Sequence, residues 1–95
     1  MSKDEALMDF SNIILSYGMN ATIHLGLTPD PSSGHISKDL NRAKDLIDIL
    51  EVLKTKTTGN LTKDEEKILD ETLANLKLSY VKALETKHLL PNFKL

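Results

Sequence analysis

Phe10-Ser-Asn-Ile-Ile-Leu-Ser-Tyr-Gly-Met-Asn-Ala-Thr-Ile-His-Leu-Gly-Leu-Thr-Pro29 holds no Asp, Glu, Lys or Arg, although charged residues make up 27 % of the chain. Within it Phe10, Ile14, Tyr17, Ala21 and Leu25 recur at steps of three and four, a spacing that starts at Leu7 and marks one face of a helix. The spacing predicts helix one over residues 4–25. Asp4, Glu5 and Asp9 lie near its start, where the helix dipole favours negative charge, and Gly26 is its C-terminal cap. Twenty uncharged residues could span a bilayer in length. Ser11, Asn12, Ser16, Asn20, Thr22 and His24 are too polar for that, so no membrane partner is expected.

A helix without charge on any face has no evident solvent face. Two further helices of a 95-residue chain cover only part of it. A second copy of the same chain is the simplest cover for the rest, since symmetric homo-oligomers are the common case. The expected interface comprises Phe10, Ile14, Tyr17, Gly18, Ala21, Thr22 and Leu25. Gly18, Thr22 and Gly26 are small and four apart, which allows close helix approach. The two copies are expected to be nearest at Gly18, and a leucine there to break the assembly more than the helix. Asn12, Ser16, Asn20 and His24 form a polar ladder, also at steps of four. It fits a solvent edge, a register-fixing interface or a ligand pocket.

Downstream, Pro29, Pro31, Ser32, Ser33 and Gly34 make residues 26–37 a loop, and its length implies contacts of its own. Helix two is predicted over residues 38–57, with Ser37 as N-cap. Leu40, Ala43, Ile47, Leu50 and Leu53 are its inner face, widened by Leu46, Ile49 and Val52. The short link Thr58-Gly59-Asn60-Leu61 makes helices two and three an antiparallel hairpin. Helix three is predicted over residues 62–87. Thr62-Lys-Asp-Glu65 is a capping box at its start, and acids lead while lysines trail, in accord with the dipole. Leu69, Leu73, Leu76, Tyr80 and Leu84 are its main face, and Ala74, Leu78 and Val81 a second one. Pro91 is expected to end it, leaving 88–95 as a tail. The whole is an all-α fold in one domain, 1–95: a long N-terminal helix and a C-terminal helical hairpin.

The remaining composition narrows the chemistry. Twelve basic and 14 acidic residues, interleaved, exclude a general nucleic-acid footprint. The absence of cysteine excludes disulfides, thiolate zinc sites and a cysteine nucleophile. The acidic start does not read as a secretory signal, so a cytoplasmic location is expected. Glu85-Thr-Lys-His88 has the E-x-x-H spacing of di-iron bundles, but helix one has no facing carboxylate between Asp9 and Asp30, so no metal or other cofactor is expected. The paired carboxylates Glu66/Asp70 and Asp48/Glu51 lie on polar faces, unsuited to acid–base work. With no phosphate loop or nucleophile motif, no catalytic residue is assigned and the expectation is a non-enzymatic interaction or scaffold module whose partner is itself, with a further protein partner left open. The alternative is a small-molecule binder with a pocket at Asn20, His24 and His35 of the 27–37 region.

The chain also resembles a family. Phe10-Ser11, His24-Leu25-Gly26 and Pro29-Asp30-Pro31 are followed by Asp39-Leu40, Ala43-Lys44, Ile47-Asp48-Ile49-Leu50, Leu53-Lys54 and Lys56-Thr57. Gly59-Asn60-Leu61-Thr62, Glu65-Glu66, Leu69 and Tyr80-Val81 complete a pattern similar to the small bacterial family catalogued as domain of unknown function 1844, over residues 10–81. Tyr17-Gly18-Met19-Asn20 departs from the small-residue or alanine-rich stretch usual there. The resemblance implies a cytoplasmic bacterial helical protein and no particular activity.

Overall fold

The computed structural model describes the backbone of residues 9–93 and the side chains of residues 9–85. Three helices follow in order: α1, Phe10–His24; α2, Leu40–Lys56; α3, Lys63–Phe93. Among the described residues there is no strand. The part of helix one expected before Asp9 lies outside the described residues.

All three helices begin at side chains that accept from free backbone N–H groups, and α1 also has a closed C-terminal end. Asp9 caps α1, its carboxylate accepting from the Ser11 N–H at 3.4 Å. At the other end Gly26 adopts φ +81°, which only glycine takes without strain. The Gly26 N–H then reaches the Ile23 carbonyl at 3.0 Å and the Leu27 N–H reaches that of Thr22 at 3.2 Å, a Schellman closure. The expected N-cap of the second helix, Ser37, is corrected to Asp39. The Asp39 carboxylate accepts from the Arg42 N–H at 3.1 Å, while its own N–H donates to the His24 carbonyl at 2.8 Å. That second bond ties the start of α2 to the end of α1, a long-range constraint that local propensity does not carry.

The capping box of α3 is formed in both directions. The Thr62 N–H donates to Glu65 Oε1 at 2.9 Å, and the Glu65 N–H to Thr62 Oγ1 at 3.1 Å. Thr62→Ala removes the hydroxyl half of this exchange and is expected to lower stability by about 1 kcal/mol. An unchanged midpoint in chemical denaturation would show that the hydroxyl does not hold the helix start. At the far end Pro91 does not stop the helix, which continues to Phe93. A proline removes one donor and crowds the carbonyl four residues back; this close to the helix end, little ladder remains to be lost.

The helices enclose one apolar cluster: Ile14, Ala21 and Leu25 from α1 and its cap, Ala43, Ile47 and Leu50 from α2, Leu69, Leu73 and Leu76 from α3. Phe10, Tyr17, Leu40, Leu53 and Tyr80 close its edges. Helices α2 and α3 run antiparallel, linked by Lys54–Asp70 at 3.0 Å and by the Lys77–Glu51 ion pair. Helix α1 packs on both and runs parallel to α3, with Gly18 opposite Thr72 and Leu25 beside Ser79 and Ala83.

Of the second apolar faces read from the sequence, Leu46 packs against the core, and four other residues do not. Ile49 and Val52 are 39 % and 56 % exposed, Leu78 and Val81 57 % and 48 %. A three-helix arrangement buries one strip per helix, and these positions lie outside it.

Candidate functional site

The uncharged helix divides into two faces. The residues expected at an interface with a second copy are largely consumed inside the chain. Ile14 and Ala21 are fully buried and Leu25 is 2 % exposed, all within the core cluster, and Phe10 and Tyr17 pack against it. Gly18 is buried too, where a Cβ atom would stand 3.0 Å from Thr72 Cγ2. The close approach that glycine permits is therefore to this chain's own α3, correcting the expectation of a second copy at that point. Thr22 is half-buried, its hydroxyl donating to the Gly18 carbonyl at 2.8 Å. Gly26 faces the Lys38 stem, where a Cβ atom would stand 3.1 Å from Lys38 Cε.

The other face of α1 is open. Ile13, Leu15 and Met19 are 38 %, 53 % and 58 % exposed. Leu15 and Met19 form one wall of a groove of about 460 Å³, with Thr22 and Gly18 at its base and Thr72, Asn75 and Leu76 of α3 as the other wall. Every lining residue is uncharged. Ile23 is 6 % exposed but stands apart from the main cluster.

The polar ladder runs along the outer side of α1. Asn12, Ser16 and Asn20 are exposed, and His24 is half-buried. Asn20 lines an open depression with Asn12, Leu15, Ser16 and Met19; His24 and His35 are not among its walls. The three residues proposed from the sequence as one pocket are thus not gathered there. His24 instead neighbours Asp30 at the start of the loop. Residues 30–35 close on themselves: the Asp30 N–H donates to the His35 carbonyl at 2.9 Å and the Gly34 N–H to the Asp30 carbonyl at 2.7 Å. The Ser32 N–H and hydroxyl both donate to Asp30 Oδ1, at 2.9 and 2.8 Å. These two bonds hold the Asp30 carboxyl below its ordinary pKa, and the nearby His24 adds a smaller push in the same direction. The loop does have contacts of its own, as its length implied, and they are turn chemistry.

Among the described residues no group of three His, Asp or Glu side chains could hold a metal. Glu85 is exposed, and His88, the other half of the E-x-x-H, lies outside the residues whose side chains are described. No helix among the described residues is long and apolar enough to cross a membrane.

Sequence reasoning missed Leu15, Met19, Thr72 and Asn75 as the walls of an open groove. A signal was present for one wall: Leu15 and Met19 stand four apart on the uncharged helix, off the strip of Phe10, Ile14, Tyr17, Ala21 and Leu25.

These features define a class: an all-α domain of three helices in which an uncharged first helix packs parallel to a longer third one. The chain belongs to the family described as Domain of unknown function (DUF1844), whose model matches residues 7–82. No curated protein and no solved structure matches the chain.

Proposed function

We propose that this protein is a non-enzymatic homo-oligomeric interaction or scaffold module of the bacterial cytoplasm, and that the open face of α1 is where copies meet. The observation that carries the reading is the exposure of Leu15 and Met19, at 53 % and 58 %, on a helix without a charged side chain. Solvent-facing helix surfaces are ordinarily studded with charge, and contiguous apolar exposure in a small protein marks a contact surface. The family resemblance supports the bacterial and cytoplasmic assignment. A small-molecule binder is the weaker reading, because Asn20 opens on a depression apart from His24 and His35.

Light scattering at micromolar concentration tests the proposal. The expected mass is that of a stable oligomer, most simply a dimer. Met19→Glu should shift it to the monomer while the far-ultraviolet circular dichroism stays unchanged, since the side chain lies outside the core. A well-folded wild-type monomer would remove the proposal.

A further inference from the structure

We draw no further inference here: the strongest candidate, the uncharged groove between α1 and α3 walled by Leu15, Met19, Thr72 and Asn75, carries nothing beyond the proposed self-association, because nothing in the structure shows what covers it.

Discussion

Leu50→Ala is expected to remove about 2–5 kcal/mol of stability, the range for truncating a fully buried leucine. Leu50 sits on the inner face of α2, has no exposed surface, and belongs to the cluster that also contains Ile14 of α1 and Leu69 of α3. Its side chain is thus placed where all three helices converge, and no single helix can shift to fill the space left behind. The loss combines the transfer of the deleted carbons with the residual cavity. A domain of this size holds roughly 5–15 kcal/mol in total, so the variant should be close to unfolding at moderate denaturant. Ile49→Ala, one residue earlier, is the control. Ile49 is 39 % exposed and outside the cluster, and its truncation should be distinctly milder. Urea titrations of the two variants compare the midpoints directly. Equal losses at positions 49 and 50 would mean that α2 is not rotated as described.

Gly18→Leu should be destabilising by roughly 3 kcal/mol, the upper part of the range for overpacking. The structural reason is the Thr72 methyl group, 3.0 Å from where even a first side-chain carbon would stand. A leucine adds three more carbons at a buried position between two parallel helices. The effect therefore falls on the fold of each chain, and any loss of assembly follows from it. The smaller change Gly18→Ala divides two opposing terms. Alanine favours the helix by about 1 kcal/mol over glycine, while the same contact forces α1 and α3 apart by a few tenths of an ångström. Thr72→Ser removes the obstructing methyl. Gly18→Ala should then be more favourable in the Thr72→Ser background than in the wild type. A double-mutant cycle from denaturation midpoints measures the difference. Additive effects, with no coupling between positions 18 and 72, would contradict the close approach.

How each part of the molecule could be read depends on the range of the interactions that determine it. The Thr62–Glu65 box and the Gly26 closure each involve residues within about five positions of one another, and both formed where the sequence pattern placed them. The N-cap of α2 did not: Ser37 and Asp39 are both good capping residues, and the choice was made by the His24 carbonyl, which holds the Asp39 N–H from another helix. The candidate site was legible only in outline. The missing charge over residues 10–29 marked α1 as unusual, yet most of the residues expected at an interface line the core instead.

From the sequence alone came the three helices, the antiparallel hairpin, the principal inner strips of α2 and α3, and the membership in a family confirmed over residues 7–82. On α2 and α3 charged and apolar residues alternate with helical period, and that contrast orients each helix toward its neighbours before any contact is known. Tertiary structure alone decided that the Phe10–Leu25 face of α1 meets this chain's own helices, the pairing of Gly18 with Thr72, and the outward placement of Leu15 and Met19. On α1 no charged residue marks an outer side, so in sequence terms its apolar strip could meet a second copy as readily as this chain's own helices. What breaks the near-degeneracy is shape: α3 fits against the notch at Gly18, and once it is seated there Ile14, Ala21 and Leu25 point inward and the groove opens on the other side.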